Sequence, residues 1–242
     1  MRALILGGTA EARELARELA GAGLDFLSSL AGRVTTPRLP VGQVRIGGFG
    51  GVQGLRDFLA AERITHVVDA THPFATRMSA NARQACSAAA VPLMRFARPG
   101  WASRADAREW HWARGLDEAR ELAEGLGERP FLTTGRQTLP AFGAWADREV
   151  LVRVVEPLNG EPPRRWTVIR DRGPYSLEGE LALLREHRVD VLLTKDSGGS
   201  YTSAKLDACA QLGIPLVVLR RPDETEVGSV GSVAEVLAWL TG

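Results

Sequence analysis

The stretch LILGGTAEARELARELA, residues 4–20, joins a short apolar run to a glycine turn and then to a segment whose apolar residues have helical spacing. This order predicts a strand over residues 3–6 and a helix over about residues 10–20. A buried strand that turns through glycines into a helix is typical of nucleotide-binding α/β domains, because free N–H groups at the helix start attract phosphate. The turn Gly7-Gly8-Thr9 lacks the full G-x-G-x-x-G pattern and is followed by Glu11. It is therefore equally consistent with an ordinary helix start capped by Thr9.

The overall composition is that of a globular protein. The 242 residues are 45% hydrophobic and 24% charged, with a formal net charge of +1, so no global attraction for nucleic acid or an anionic membrane is expected. No apolar run is long enough to cross a bilayer, and neither a signal-peptide pattern nor a heptad repeat is present. We therefore predict a cytoplasmic, monomeric protein without nucleic-acid, membrane or metal partners, in which Cys86 and Cys209 are small buried hydrophobic residues.

Strand and helix patterns alternate along the chain, which predicts the α/β class with doubly wound parallel sheets. Arg98-Pro99-Gly100 has the composition of a boundary. We predict two Rossmann-like domains, residues 1–97 and 98–242, with a ligand-binding cleft between them. The strands predicted for the first domain are 3–6, 24–30, 43–46, 66–70 and 91–96. Those predicted for the second are 109–112, 131–134, 150–155, 167–171, 189–194 and 216–219.

The second predicted strand decides which dinucleotide would fit. NAD-binding units place an Asp or Glu about 20 residues after the glycine loop, where it binds the ribose 2′-hydroxyl. Here the region reads SSLAGR, with Ser28, Ser29 and Arg33 and no acid. Two hydroxyls and a guanidinium suit a 2′-phosphate, so a bound dinucleotide is predicted to be NADP(H). The alternative is that these are ordinary loop residues.

Two further strand ends of the first domain carry candidate ligand contacts. The run GGFGG, residues 47–51, offers an open backbone, and Gly48 and Phe49 could lie against a nucleotide. The run DATHPFA places Asp69, Thr71 and His72 at the next strand end. A tight turn, a loop hydrogen bond and a capping histidine are the respective alternatives. Carboxyl ends of parallel strands share one edge of the sheet, so these loops are expected to lie together.

The second domain repeats the strand–glycine–helix arrangement twice. Gly135 and Arg136 lie in TTGRQ, and Ser197 and Gly198 lie in TKDSGGSYTSAK. Lysine occurs only at Lys195 and Lys205, although the chain has 30 lysines and arginines together. With Arg172 on a neighbouring loop, these cations and glycines would suit a substrate that bears several carboxylates. The alternative is a solvated basic rim.

Tyr201 and Lys205 also match Y-x-x-x-K, the proton-transfer pair of short-chain dehydrogenases. In those enzymes the pair shares a domain with a full glycine motif and an upstream serine. Here the match falls in the second half of the chain without either companion, and two fixed letters recur easily by chance. A short-chain-type dehydrogenase that uses Tyr201 and Lys205 is therefore a rival hypothesis, as is a non-catalytic NADPH-sensing module.

The ordered set of motifs resembles the precorrin-6A reductase family of cobalamin biosynthesis over nearly the whole chain. The motifs that carry the resemblance are LILGGTAEARELA, SSLAGR, GGFGG, DATHPFA, TTGRQ, RDRGPYS and LLTKDSGGSYTSAKLDACAQLGIPLVVLRRP. The resemblance implies two Rossmann-like domains and an NADPH-dependent oxidoreductase that reduces a double bond of the tetrapyrrole precorrin-6A to give precorrin-6B. The cobalt-precorrin-6A reductase of the anaerobic branch is the nearest alternative.

The resemblance also implies roles for the candidate residues. The residues assigned to the cofactor are Gly7, Gly8, Thr9, Glu11, Ser28, Ser29, Arg33, Gly48, Phe49, Asp69, Thr71, His72 and Gly135. Those assigned to the substrate are Arg136, Arg172, Lys195, Ser197, Gly198, Tyr201 and Lys205. The proton donor stays open between Tyr201, His72 and water.

Overall fold

The computed structural model describes residues 1–32, 34–222 and 229–242. The chain forms two compact units, one made of Met1–Pro99 with Pro222–Gly242 and the other of Gly100–Arg221. The predicted second domain, 98–242, is thus corrected at its C-terminal end. The reason is a long-range strand pairing, because Ser229–Val230 adds to the sheet of the first unit beside Leu93–Phe96.

The first unit is a six-stranded, fully parallel sheet flanked by helices. Its strands are β1 (Ala3–Leu6), β2 (Phe26–Leu30), β3 (Gln43–Ile46), β4 (His66–Asp69), β5 (Leu93–Phe96) and β12 (Ser229–Val230), in the order β12-β5-β4-β1-β2-β3. Its helices are α1 (Ala10–Gly21), α2 (Val52–Ala61), α3 (Thr76–Ala89) and α7 (Val233–Thr241). The order reverses between β1 and β4, the switch point at which open α/β sheets bind ligands.

The alternation of side chains along β1 divides the core of this unit into two layers. Ala3 and Ile5 pack in a cluster with residues of α1 and α7, whereas Leu4 and Leu6 pack in a cluster with residues of α2 and α3. All four are at most 1% exposed. A strand buried on both faces is apolar throughout, which is why this run is apolar without interruption.

The second unit has the same arrangement. Its strands are β6 (His111–Ala113), β7 (Pro130–Leu132), β8 (Val150–Val154), β9 (Trp166–Arg170), β10 (Val191–Lys195) and β11 (Leu216–Leu219), all parallel in the order β6-β11-β10-β7-β8-β9. Its α-helices are α4 (Leu116–Glu124), α5 (Leu177–Glu186) and α6 (Ala204–Leu212). The predicted α/β class with two doubly wound parallel sheets is confirmed.

One predicted helix of the second unit has a different form. The segment that follows TTGRQ is the 3₁₀ stretch Arg136–Trp145, with Pro140 inside it and a non-helical residue at Phe142. Proline removes a backbone donor and clashes with the preceding turn, so a regular α-helix does not form there. Leu139, Phe142 and Trp145 are nevertheless buried and hold the stretch in place.

Both cysteines are buried, as predicted. Cys86 is 2% exposed and Cys209 is fully buried, and both are free thiols. Burial, aided by the charge of Asp69, raises the pKa of Cys86 to about 12. Burial also raises the pKa of Cys209 to about 12. Both thiols are therefore protonated at neutral pH and behave as small apolar groups.

Candidate nucleotide and substrate sites

The glycine turn after β1 leaves an open space at the start of α1. The Gly7 N–H donates to the Ser29 carbonyl at 2.9 Å, which fixes the turn against β2. Gly8 has a φ of 114°, and a Cβ built on it would meet no atom within 4 Å. Thr9 caps α1 by accepting from the Ala12 N–H at 3.1 Å, and its hydroxyl donates to the Ala70 carbonyl at 2.9 Å. Thr9 thereby joins the loops after β1 and β4 across the switch point.

Glu11 does not present an uncompensated carboxylate to this turn. Its Oε2 contacts the guanidinium of Arg98, and both side chains are at most one-fifth exposed. The pair neutralises the carboxylate charge, which would otherwise repel a phosphate beside Gly8. The carboxylate in the first turn of α1 is therefore compatible with an anion at the helix start.

Asp69 belongs to a buried network rather than to an open surface. It is 2% exposed, and Oδ1 accepts from the hydroxyl of Thr71 at 2.7 Å and lies 3.0 Å from Arg95 Nη1. Oδ2 accepts from the Ser79 hydroxyl at 2.5 Å. Arg95 also donates to the Thr71 carbonyl at 3.2 Å. Asp69 and Thr71 thus shape the loop that carries His72, instead of projecting from it.

His72 is half-buried in the same loop. Its Nδ1 accepts from the Phe74 N–H at 3.2 Å. In the neutral imidazole this acceptor role leaves the proton on Nε2. The loop therefore fixes both the position and the tautomer of this side chain.

The serines of β2 are less accessible than the sequence suggested. Ser28 is 1% exposed, and its hydroxyl has no hydrogen-bond partner among the described residues. Ser29 is 5% exposed, and its hydroxyl accepts from Arg45 at 3.2 Å. Arg33, the third residue assigned to a 2′-phosphate, lies outside the described residues. Burial argues against direct contact between Ser28 and a ligand.

Arg45 is a candidate that the sequence reasoning missed. It lies on β3 opposite Ser29 of β2, and its guanidinium lies 4.1 Å from the ring centroid of Phe49. It also donates to the carbonyls of Gly47 at 2.7 Å and Gly48 at 3.1 Å. An arginine in a strand carries no local signal. Only the register with Ser29 and the adjacent GGFGG run point to it.

The second unit holds its glycine loop, residues 196–200, between two residues distant in sequence. The Trp101 N–H donates to Asp196 Oδ1 at 2.8 Å, and its indole N–H donates to the Gly199 carbonyl at 3.0 Å. Arg221 Nε donates to the Asp196 carbonyl at 3.0 Å. Gly198 and Gly199 have φ values of 67° and 69°, conformations that other residues adopt at a cost. These contacts therefore hold the loop in a defined conformation.

Most substrate-side candidates follow strands of this sheet, so the parallel register brings them to its carboxyl edge. Arg136 follows β7 and donates to the Pro157 carbonyl at 3.0 Å. Gly135, which the resemblance assigned to the cofactor, precedes it with a φ of 89° and lies in this second unit. Arg172 follows β9 and lies 3.7 Å from Glu156. Lys195 ends β10, and burial lowers its pKa. Ser197, Gly198 and Tyr201 continue from it, and Tyr201 is 44% exposed.

Lys205 is the exception, because it points into the unit. It is 4% exposed, its Nζ donates to the Thr202 carbonyl at 2.8 Å, and it lies 5.0 Å from the Trp101 ring centroid. Burial, with the nearby charge of Arg153, lowers its pKa to about 7. This burial contradicts the predicted contact with the substrate. The ammonium group lies beneath the glycine loop, residues 196–200, where it binds the Thr202 carbonyl. Its contacts do not include the Tyr201 hydroxyl in the part of the chain that the structure describes, so the Y-x-x-x-K pair is not assembled.

A family model described as Precorrin-6x reductase CbiJ/CobK matches residues 2–241. The chain belongs to this family. Among relatives, a precorrin-6A reductase of Rhodococcus erythropolis is 48% identical over 241 residues, covering 99% of this chain and 97% of that protein. A cobalt-precorrin-6A reductase of Salmonella typhimurium is 33% identical, covering 93% of this chain and 89% of that protein.

A solved structure described as CobK precorrin-6A reductase matches this member of the precorrin-6x reductase family over its full length. The TM-score is 0.90 at 38% identity, with 100% of this chain and 96% of that one covered. Within the described ranges, no helix has the length and apolar character needed to span a bilayer. The same ranges contain no group of three or more His, Cys, Asp and Glu side chains arranged to hold a metal ion.

Proposed function

We propose that this chain reduces precorrin-6A to precorrin-6B with NADPH. The observation that carries the proposal is the family match from residue 2 to residue 241, which leaves only the first and last residues outside the family pattern. The relatives named precorrin-6A reductase are 39–48% identical to this chain, whereas those named cobalt-precorrin-6A reductase are 30–33% identical. This difference favours the metal-free substrate.

The first unit supplies groups that fit a dinucleotide. The open space at Gly8 and the N-terminus of α1 suit a pyrophosphate, because no side chain fills that space and the helix dipole favours an anion. The Glu11 carboxylate is compensated by Arg98. β2 ends without an acid that would repel a 2′-phosphate. These features support NADPH rather than NADH, with Gly7, Gly8, Thr9, Gly48 and Phe49 as the proposed contacts.

A bound nicotinamide would supply the hydride for the reduction of the macrocycle double bond. The protein's own contribution is position and proton supply. Asp69 holds the loop after β4 through Thr71, Ser79 and Arg95, and that loop orients His72. His72, Tyr201 and water are the proposed sources of the proton that completes the reduction.

The second unit supplies groups that fit a ring bearing acetate and propionate side chains. Three cations lie at the same edge of one sheet as the glycine loop, residues 196–200: Arg136, Arg172 and Lys195. Guanidinium and ammonium groups bind carboxylates through charge-assisted hydrogen bonds. We assign them, with Ser197, Gly198 and Tyr201, to substrate carboxylates.

The test is anaerobic mixing of the purified protein with NADPH and precorrin-6A, while the cofactor absorbance and the macrocycle spectrum are followed together. Equimolar loss of NADPH and conversion of the ring to its reduced form are expected, with slower turnover on NADH and on cobalt-precorrin-6A. Binding of NADPH without a change in either macrocycle would contradict the proposal and favour a sensing module. Replacing Tyr201 by Phe separates the short-chain rival, which requires complete loss of activity, from this proposal, which expects a modest loss.

A further inference from the structure

Arg45 occupies the place at which a nucleotide-binding sheet distinguishes its cofactors. β2 and β3 run parallel with Ser29 opposite Arg45, one residue before both strands end. In NAD-binding units an acid at the end of β2 binds the ribose 2′-hydroxyl, and in NADP-binding units a nearby arginine accommodates the 2′-phosphate. Here β2 ends in two serines and a leucine. Arg45 is a cation whose side chain reaches that strand end, through its 3.2 Å contact with Ser29.

The guanidinium of Arg45 is held in one orientation. Nη1 donates to Ser29 Oγ and to the Gly47 carbonyl, and Nη2 donates to the Gly48 carbonyl. Its Cζ lies 4.1 Å from the ring centroid of Phe49 and 5.0 Å from that of Phe58, and the two rings contact each other edge to face. Within the described parts of the chain, Nε–H and one Nη2–H have no acceptor. A rigid fork with two donors left over is prepared for bidentate binding of an oxyanion.

The charge of Arg45 is not compensated, unlike that of the two most buried arginines. Arg95 lies 3.0 Å from Asp69, and Arg153 lies 2.7 Å from Glu180. Arg45 has no carboxylate oxygen within 4.0 Å in the described ranges. Partial burial lowers its pKa accordingly. An anion bound here would meet a positive charge that no carboxylate of the described residues offsets, and it would gain charge-assisted hydrogen bonds from the guanidinium.

Space for such an anion exists beside Arg45. The loop after β3 contains Gly47, Gly48, Gly50 and Gly51, and a Cβ built on any of them would meet no atom within 4 Å. Three of these glycines have positive φ values, from 80° to 130°. The loop thus keeps both an unusual backbone and an unfilled surface next to the guanidinium.

We propose that Arg45 binds the 2′-phosphate of the cofactor and is the residue that makes the enzyme prefer NADPH to NADH. This inference rests on the proposed function and replaces Ser28, which is buried, as a contact of the phosphate. Ser29 acts through Arg45, whose guanidinium it helps to orient.

The experiment measures the binding of adenosine 2′,5′-bisphosphate and of 5′-AMP, which differ only in the 2′-phosphate, by calorimetry on the full chain. We expect the wild type to bind the bisphosphate at least about tenfold more tightly, and Arg45→Met to bring the two Kd values within about threefold of each other, as for the loss of charged hydrogen bonds. The Kd for 5′-AMP should change little. Arg45→Lys should retain part of the preference, because the charge stays while the fork is lost.

Two parallel variants keep the inference open to refutation. Arg56→Met, an exposed arginine on α2, should leave both Kd values unchanged. If Arg33→Met rather than Arg45→Met abolishes the preference, the inference is wrong and the proposed function stands. Parallel weakening of both ligands in Arg45→Met would mean that the residue only shapes the loop. If the wild type binds neither the bisphosphate nor NADPH, the proposed cofactor itself is wrong.

Discussion

In the first unit the central strand β1 passes through a glycine turn into the regular helix α1, whereas in the second unit the equivalent strand β7 passes into the 3₁₀ stretch Arg136–Trp145. The strand orders are otherwise the same, with three strands on one side of the switch point and three on the other. A 3₁₀ stretch with an internal proline offers a poorer anion site than an α-helix start. The fold is thus shared, and this difference between the loops supports the proposal that the first unit binds the nucleotide and the second the substrate.

The edge strand beside β5 in the first unit and the edge strand beside β11 in the second occupy equivalent places in their sheets, although the chain reaches them by different paths. The first unit takes β12 from the end of the chain, and the second takes β6 from its own beginning. Each edge position is filled by a segment beside the points where the chain passes from one unit to the other, at Pro99–Gly100 and at Arg221–Pro222. Equivalent positions in a sheet therefore do not need equivalent positions in sequence.

The largest expected effect concerns the buried ion pair of the second unit. Arg153 donates two hydrogen bonds to Glu180, at 2.7 and 2.9 Å, and both side chains are at most 5% exposed. Glu180→Gln leaves a buried cation unpaired and should lower the free energy of unfolding by about 3–5 kcal/mol. Urea denaturation measures this. Asp117, whose side chain is 86% exposed, pairs with Arg120 at 4.0 Å, and Asp117→Asn should cost less than about 1 kcal/mol. Equal losses of stability in the two variants would contradict the account.

The next effect is a pH dependence that comes from a buried lysine of the second unit. Burial lowers the pKa of Lys205 from 10.5 to about 7. Between these values the unfolded chain keeps a proton that the folded chain has released, so the free energy of unfolding should rise with pH, by on the order of a few kcal/mol. Below pH 7 both states are protonated and the contribution is flat. Denaturation at several pH values should show this rise in the wild type relative to Lys205→Met. If the difference in free energy of unfolding between the wild type and Lys205→Met did not change with pH, the lowered pKa of Lys205 would be wrong.

A smaller effect separates the ligands of the two units. Gly8 and Gly198 have φ values of 114° and 67°, so alanine at either position should cost about 1–2 kcal/mol of stability. Gly8→Ala also fills the space at the start of α1 and should weaken NADPH binding by at least about tenfold. Gly198→Ala should leave the Kd for NADPH unchanged and raise KM for the macrocycle. If Gly8→Ala and Gly198→Ala weakened NADPH binding equally, the proposed division of the two ligands between the two units would be wrong.

The smallest effect compares two helix caps. Thr9 caps α1 and Ser176 caps α5, each accepting from a backbone N–H. Alanine at either position should cost about 1 kcal/mol. Thr9→Ala should cost more, since its hydroxyl also donates to the Ala70 carbonyl, and it alone should weaken NADPH binding. Thermal unfolding and nucleotide titration of both variants provide the check.

The sequence predicted much of the fold because the signals there are local. β1, β3 and β11 have the predicted bounds, since apolar runs and glycine turns delimit them. β12 is only two residues long, too short for a periodic pattern. Its pairing with β5, and hence the return of the chain to the first unit, depends on a contact between distant segments. Pro140 disfavours a regular helix after β7 and outweighs the glycine-turn pattern that predicts one there.

The residues of the candidate site also fall into those with a local sequence signal and those whose role depends on contacts between distant segments. The glycine turns and strand ends could be predicted, because special backbone positions require special residues. Arg45 could not, because its importance lies in its register with Ser29 and its stacking on Phe49. Lys205 could not be placed either. Its burial follows from the direction in which it leaves the first turn of α6 and from its contact with Trp101, a residue about a hundred positions earlier.

The most direct test of the division between the units is hydrogen exchange of the full chain, measured by mass spectrometry with NADPH and, separately, with the reduced macrocycle. We predict that NADPH slows exchange in residues 7–12 and 45–51 of the first unit. The macrocycle should slow exchange in residues 133–136 and 195–202 of the second. Protection of the second set by NADPH, with the first set unchanged, would contradict the account.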